Sequence, residues 1–317
     1  MSTTDPAAVR LLKRGLPRGA KDTVERGIRW GTTATAAFRP GPDFLVVGTK
    51  RGGTTTLWNA LADHPQVQSM VPAAKHLKSP HFFSQYYVRG PAWYRGHFPT
   101  TVARRRHARA HGASLVGDAC PTYLFDPRVP ARAAELFPEV KVLISLRDPV
   151  ERAYSHWKER VKEGTEDLDF AAALAAEPAR LAGELDRMLA DPDHDSRARD
   201  WFSYRSRGEY ADQVAGWLAH FDRSQVLVVR AEDLYRDQPG VLGTVHDFLG
   251  LADHEGDPRW RNHMPSSPMA AEVRRDLEEH YAPHNRRLAD VLGDPTWTDA
   301  WSAPATPTPE PLLGGAR

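Results

Sequence analysis

The sequence of 317 residues predicts an α/β fold, a three-layer sandwich in which helices cover both faces of a central parallel sheet. Three observations carry this prediction. Short apolar runs without polar alternation are typical of buried parallel strands, and they occupy residues 44–47, 141–146 and 225–229. A stretch with helical spacing follows each run, over residues 54–63, 150–163 and 241–249. A glycine-rich connection joins the first strand to the first helix, as in a strand–loop–helix phosphate-binding loop.

Each element has a local justification along the chain. The first strand ends at Gly48, and the helix after it places Leu57 and Leu61 four residues apart before Pro65 ends it. The second strand is followed by a charged helix, and the third strand by an apolar one. Strands separated by helical crossovers of this length pair in parallel.

The remaining segments predict one domain with irregular ends. Residues 1–40 carry eight Lys or Arg against three acidic residues; we expect a basic, partly disordered leader with a short helix around 8–12, and its charge would suit a peripheral membrane contact. Residues 41–295 form the single domain, with an Ala- and acid-rich helical insertion around 167–200. Residues 301–317 are rich in Pro, Thr and Gly and are predicted to be a disordered tail.

Composition excludes several classes of protein. The chain has 42 basic and 41 acidic residues, a net charge of +1, so no global field indicates a nucleic-acid binder. A single cysteine, Cys120, cannot form an intrachain disulfide and suits a reducing compartment. Because neither a signal peptide nor a run of about 20 apolar residues is present, we expect a cytoplasmic protein without a transmembrane segment.

The loop between the first strand and the first helix predicts an anion site. Its glycines let backbone N–H groups turn inward, and the helix dipole adds positive potential. Candidate ligands of the anion are Lys50, Arg51, Gly52, Gly53, Thr54, Thr55 and Thr56. The glycine spacing fits the NTPase pattern G-x-x-x-x-G-K-[ST], but Thr54 stands where that pattern has Lys, which disfavours an ATPase or kinase. A plain Gly-rich turn with two exposed bases is the simpler alternative.

A second motif follows the second strand. Arg147 comes directly after it, and Ser155 lies eight residues later on the next helix. Two helical turns can bring a strand-end Arg and a helical hydroxyl to one phosphate. The alternatives are a strand-end Arg–Asp pair with an incidental Ser, or an acidic strand end that holds a metal, as in an NTPase.

With both motifs in this order, the chain resembles the sulfotransferases that depend on 3′-phosphoadenosine 5′-phosphosulfate (PAPS). The resemblance implies that the loop holds the 5′-phosphosulfate, with Arg51 where the family usually has its catalytic Lys. It also implies that Arg147 and Ser155 clasp the 3′-phosphate and that Tyr210 lies near the adenosine. Residues 78–83, 117–123 and 281–285 resemble the branch with heparan-sulfate and other glycan sulfotransferases, and the resemblance spans roughly 43–293.

The implied activity is in-line transfer of a sulfuryl group from PAPS to a hydroxyl or amine, with 3′-phosphoadenosine 5′-phosphate (PAP) as product and no metal. The acceptor would be a glycan or a small molecule, glycosylated or phenolic. Arg51 and Lys50 would neutralise the leaving group, and Lys78 would contact the sulfate or the acceptor. The aromatic residues Tyr86, Tyr87, Trp93 and Tyr94 could line an acceptor cleft or belong to the core.

The general base stays open between two residues. In the glycan branch a Glu follows the Lys of the His-Phe-Phe segment, but Ser79 stands there in this chain. His81, in the same segment, has an imidazole that could act as the base, and Asp118, expected just after a strand, could take the proton or orient His81. A P-loop kinase or NTPase and a catalytically inactive nucleotide-binding module are the competing functions. The sequence does not indicate an oligomeric state.

Overall fold

A computed structural model describes residues 30–73, 76–255 and 268–301 of the chain. Four parallel strands form one sheet in the order β2-β1-β3-β4. The strands are β1 (Phe44–Gly48), β2 (Gly117–Ala119), β3 (Lys141–Leu146) and β4 (Val226–Arg230). The carboxyl ends of these strands therefore meet at one edge of the sheet, where the first two sequence motifs also lie.

Helices surround the sheet on both sides. Those described at both ends are α1 (Thr54–Asp63), α2 (Phe82–Gln85), α3 (Gly90–Arg95), α4 (Thr101–His111), α5 (Val129–Leu136), α6 (Pro149–Lys162), α7 (Phe170–Leu181), α8 (Glu184–Ala190), α9 (Arg197–Phe202), α10 (Tyr210–Leu218), α11 (Ala231–Arg236), α12 (Gln238–Leu249) and α13 (Ala271–Leu292). Short 3-10 helices include Ala36–Phe38, Tyr87–Arg89, Ser206–Gly208, Arg223–Gln225 and Asp299–Trp301.

Alternation along β1 divides the core into two layers. Phe44 and Val46 pack with α1 and α12, whereas Leu45 and Val47 pack with α10 and the end of α13. Because successive side chains of a strand point to opposite faces, a strand that is apolar throughout must be covered on both sides. The predicted three-layer α/β fold is confirmed, and the three predicted strands lie within one residue of their expected positions.

One strand was not predicted. β2 has only three residues, and the sequence Gly-Asp-Ala has none of the apolar character that identified the others. Asp118, expected after a strand, instead lies inside this one and pairs in register with Leu45 of β1. A buried aspartate in a central layer needs hydrogen-bond partners, which two tyrosines provide.

The peripheral segments are partly described. The region expected as a helical insertion contains α7, α8 and α9, and α7 packs against α6 around Tyr154. Trp301, expected to begin a disordered tail, is buried, and its indole N–H donates to Glu232 over 3.2 Å. Arg39, counted in the leader, is buried as well. Residues 1–29, with the predicted helix at 8–12, and residues 302–317 lie outside the described residues. In the described ranges, no helix combines the length and apolar character needed to cross a bilayer.

Candidate active site

The loop between β1 and α1 is fastened to the neighbouring strand. The N–H of Thr49 donates to the carbonyl of Ser145 over 2.7 Å, and the hydroxyl of Ser145 donates to the carbonyl of Gly52 over 2.6 Å. Glycine is required at position 52, because a Cβ there would lie 2.8 Å from the Ser145 oxygen. Gly53 precedes α1 with a φ of 80°, a conformation that favours glycine.

The N-terminus of α1 is open to an anion. Gly53 has no side chain to cap the helix, and the first turn contains no acidic residue. Its first N–H groups lack intrahelical acceptors and carry the positive end of the helix dipole. The loop thus has the backbone geometry that the sequence predicted for a phosphate site.

Both cations of the loop are paired with carboxylates from other helices. The ammonium of Lys50 lies 3.2 Å from Asp200 of α9, and the guanidinium of Arg51 lies 2.9 Å from Glu159 of α6. Burial lowers the pKa of Lys50, and the negative charge of Asp200 opposes that effect. The two loop cations therefore diverge: Lys50 faces the inserted helices, and Arg51 faces α6.

The structure brings Arg51 together with both residues of the second motif. Nε of Arg51 donates to the hydroxyl of Ser155 over 3.0 Å, and Arg147 Nη1 lies 3.5 Å from the Arg51 carbonyl. The Arg147 guanidinium is 3.9 Å from Glu151, too long for a hydrogen bond. Arg51, Arg147 and Ser155 thus form one cationic corner beside the loop.

Tyr210 lies behind this corner rather than in it. Its side chain is buried, and its hydroxyl donates to the carbonyl of Arg147 over 2.9 Å. The hydroxyl of Tyr210 therefore supports the backbone of Arg147, and the position of Tyr210 near the adenosine stays a prediction. Asp148 fixes the same turn, because its carboxylate accepts a hydrogen bond from the N–H of Val150 and caps α6.

Lys78 and His81 form a second wall across from the loop. The carbonyl of Lys78 accepts from the N–H of Ala119 at the end of β2, which places the Lys78 ammonium 3.5 Å from the Thr55 hydroxyl of α1. Burial lowers the pKa of Lys78 to about 8. A lysine with this pKa is largely charged at neutral pH and loses its charge in mildly alkaline solution.

Cys120 sets the orientation of the His81 ring. Its sulfur lies 3.2 Å from His81 Nδ1 and 3.1 Å from the hydroxyl of Thr122. Burial raises the pKa of the Cys120 thiol to about 12, so the sulfur stays protonated and unreactive. This contact was not predicted, because Cys120 and His81 are 39 residues apart.

Asp118 is not placed to act on a bound acceptor. Its side chain is fully buried, and Oδ2 accepts from the hydroxyls of Tyr94 (2.8 Å) and Tyr123 (3.0 Å). Burial raises the pKa of this carboxyl, and hydrogen bonds from neighbouring hydroxyls oppose the rise. Of the two expected base candidates, we therefore assign Asp118 a positioning role behind the wall. The hydrogen-bond partner of the His81 ring is Cys120, not Asp118.

Several residues that shape the site escaped the sequence analysis. Glu159 had a usable signal, since it lies four residues after Ser155 on the same helix face. Asp200 had none, because only tertiary packing brings α9 to the loop. Behind Lys50 lie four buried basic residues that the sequence analysis also did not identify: Arg152, His156, Arg160 and Arg207. Burial lowers the pKa of His156 well below its usual value, and the positive charges of Lys50 and the three arginines add to the effect, so this imidazole is neutral.

Comparisons with known proteins agree on one family. A family model described as a sulfotransferase domain matches residues 41–279. Mouse heparan sulfate glucosamine 3-O-sulfotransferase 3B1 is 28% identical over 280 residues, covering 80% of this chain and 63% of that protein. Human heparan sulfate glucosamine 3-O-sulfotransferase 6 is 30% identical over 280 residues, with 80% of this chain and 72% of that protein covered. The chain spans less than two thirds of the length of the mouse relative.

A solved structure gives the same result. The crystal structure of a sulfotransferase from Alicyclobacillus acidocaldarius has a TM-score of 0.61 and 30% sequence identity to this chain. The match covers 83% of this chain and 99% of that one. The likeness therefore includes nearly all of that structure.

Proposed function

The chain belongs to the sulfotransferase domain family, and from this premise we propose that it transfers the sulfuryl group of PAPS to a carbohydrate hydroxyl or amine. The observation that carries the proposal is the meeting of Arg51, Arg147 and Ser155 beside the uncapped N-terminus of α1. Such a corner offers donors for two separate phosphate groups. A P-loop kinase is disfavoured, because Thr54 takes the place of the lysine that its loop requires.

The residues present fit the donor. The first-turn N–H groups of α1 and Arg51 would hold the 5′-phosphosulfate, while Arg147 and Ser155 would hold the 3′-phosphate. PAPS supplies an activated sulfuryl group whose bridging oxygen becomes negative as it leaves. Arg51 is placed to neutralise that charge, and since arginine stays protonated, its part is electrostatic.

Lys78 is the cation on the opposite side of the loop. Its ammonium, 3.5 Å from the Thr55 hydroxyl, stands over the first turn of α1. There it would attract the sulfonate oxygens and orient the group for in-line displacement. Below a pH of about 8 it carries the charge that this role needs.

His81 is the residue that we assign as general base. The Cys120 thiol has one proton, and if it donates to Thr122, the His81 Nδ1–H donates to the sulfur and Nε2 keeps its lone pair. A neutral imidazole in this tautomer can take the proton of an attacking hydroxyl. Ser79 supports the segment, because its hydroxyl accepts a 2.9 Å hydrogen bond from the His81 N–H.

A partly exposed aromatic surface, with Tyr86 exposed and Trp93 half-buried, follows the His81 segment and suits a sugar acceptor. The N–H of Tyr86 donates to the carbonyl of His81 over 3.3 Å, so the tyrosine follows directly from the catalytic segment. The guanidinium of Arg89 lies 4.9 Å from the centre of the Tyr86 ring and 5.1 Å from that of Trp93. Aromatic faces can stack on sugar rings, and the arginine could pair with an acidic substituent. The curated relatives named above are heparan sulfate sulfotransferases, which supports an anionic glycan.

The test is transfer of labelled sulfuryl from PAPS to heparan-type oligosaccharides, with simple phenols as a second acceptor class. We expect transfer to the oligosaccharides, a loss of about 100- to 10,000-fold in kcat for His81→Gln, and unchanged PAP affinity in that variant. His111→Gln, an exposed histidine on α4, is the matched control. Absence of transfer from PAPS to any acceptor would contradict the proposed activity, whereas transfer to phenols alone would contradict only the carbohydrate acceptor.

A further inference from the structure

A cluster of three potential metal ligands lies where α13 packs beside the start of α10. Its members are Glu209, His280 and His284, whose ligand atoms all lie within 4.8 Å of one another. We propose that these three residues form a binding site for a divalent transition metal, with zinc as the best match. The proposal does not rest on sulfuryl transfer and is separate from the expectation that the reaction itself needs no metal.

The two histidines converge because of their spacing. His280 and His284 are four residues apart on α13, so their rings lie on one face of the helix with centroids 5.0 Å apart. Glu209 comes from a different part of the chain and directly precedes α10. Its backbone is held on both sides, since its N–H donates to Ser206 and its carbonyl accepts from the Gln213 side chain.

The distances suit a small ion. Nε2 of His280 lies 3.1 Å from Oε1 of Glu209. Zinc bonds of about 2.0–2.1 Å to nitrogen and oxygen require ligand atoms about 3.3 Å apart in a tetrahedron. Rotation of the His284 side chain would complete a set of two imidazoles and one carboxylate and would leave a fourth position for water. A simple His–Glu hydrogen bond accounts for the first distance alone, but it gives no role to the second imidazole.

The three side chains also match the ligand chemistry of zinc, which binds imidazole nitrogen and carboxylate oxygen. The carboxylate of Glu209 supplies the one negative charge among the three ligands.

A bound metal would fasten α13 to the segment that supports the candidate active site. Glu209 is adjacent to Tyr210, whose hydroxyl holds the carbonyl of Arg147. On the other side, the Tyr281 ring packs close to Gly208, and its hydroxyl donates to the carbonyl of Arg205 over 2.8 Å. The site therefore links two elements that already pack together, which indicates a structural role.

The test uses the full chain, freed of metal by a chelator and then titrated with Zn²⁺ or Co²⁺. We expect a rise of several degrees in the melting temperature with zinc, and with cobalt the visible absorption of a tetrahedral complex containing nitrogen ligands. Both responses should be lost in His280→Gln and in His284→Gln. The second variant leaves the Glu209–His280 pair intact, so it remains informative if the first folds poorly.

A matched control is available elsewhere in the molecule. His194 and Glu184 form a pair at 3.0 Å, nearly the distance of the proposed site, but without a second histidine in the cluster. His194→Gln should respond to both metals like the wild type. The proposal is overturned if wild-type protein shows neither the stabilisation nor the cobalt spectrum, or if His284→Gln retains both.

Discussion

The ion pair between Lys50 and Asp200 should couple the phosphate loop to the inserted helices. Asp200 lies 3.2 Å from the Lys50 ammonium and 3.5 Å from the guanidinium of Arg207. Asp200→Asn preserves the shape of the side chain but removes a negative charge that lies between two cations. We expect this variant to be less stable and its loop cation to be less firmly held.

The magnitude follows from how far these groups are shielded from water. The side chains of Lys50, Asp200 and Arg207 are 14%, 29% and 2% exposed. Breaking a fully buried pair costs about 3–5 kcal/mol, and an exposed pair is worth about 0–1 kcal/mol. For a pair of intermediate exposure we expect a coupling free energy of about 1–3 kcal/mol.

The pH dependence of this contribution has a definite sign. Burial raises the pKa of Asp200, but the charges of Arg207 and Lys50 outweigh that effect and lower it. A carboxyl whose pKa is lower in the folded state contributes stability above its unfolded pKa of about 4. That contribution is lost as the pH falls through the lower pKa that Asp200 has in the folded protein. The free energies of unfolding of wild type and Asp200→Asn should therefore become more similar in acid.

The assay is a double-mutant cycle with Lys50→Met and Asp200→Asn, using urea unfolding at neutral pH. The exposed pair of Arg287 and Asp212, 59% and 72% exposed, gives a control cycle that should measure below about 1 kcal/mol. A coupling free energy for the Lys50–Asp200 cycle no larger than the control would refute the reasoning.

Two further predictions concern the second wall of the site. Asp118→Ala should lower the free energy of unfolding by about 2–4 kcal/mol, because it leaves the buried hydroxyls of Tyr94 and Tyr123 without an acceptor. Asp118→Asn keeps an acceptor and should therefore lose less stability when both variants are unfolded in urea. Equal losses would contradict the positioning role of Asp118. Lys78 loses its positive charge above a pH of about 8, so kcat/KM for the donor should fall there, and Lys78→Arg, which stays charged, should not show that fall. If kcat/KM of Lys78→Arg fell at alkaline pH as it does in the wild type, Lys78 would not have the proposed role.

The sequence was sufficient for the framework of the fold because its strands differ sharply from their surroundings. Residues 141–146 are apolar except at two positions, so burial on both sides was the expected outcome, and β3 occupies the same residues. β2 was not predicted for the opposite reason, since a three-residue strand containing an aspartate has no hydrophobic period. The strand exists because β1 offers it a partner, and the aspartate is tolerated because tyrosines from distant segments satisfy it.

The candidate site was predictable where its residues follow a strand or share a helix. Arg147 and Ser155 both lie beside Arg51 in the structure, because parallel strands end at one edge of the sheet. The sequence placed Tyr210 near this corner, but only tertiary packing decides whether its ring points into the site or into the core. The partners of Lys50 and His81 depend on contacts across 150 and 39 residues of chain, and no local pattern encodes them.

The proposed metal site had a partial sequence signal. His280 and His284 stand four residues apart in a helical stretch, a common spacing for metal ligands. Glu209, 71 residues earlier, could be added only once the packing of α10 against α13 was known. The cytoplasmic location, the bounds of the leader and tail and any membrane contact of the leader stay predictions.

The central claim is that Arg147 and Ser155, which lie beside Arg51, recognise the 3′-phosphate of the donor. It is tested most directly by calorimetric binding of PAP and ADP to wild-type protein and to Arg147→Ala. Hydrogen bonds to a charged group contribute about 1.5–3 kcal/mol, so PAP should bind about 10- to 100-fold more weakly to the variant, while ADP should be little affected. Equal affinities of the wild type for PAP and ADP, unchanged in the variant, would contradict the account.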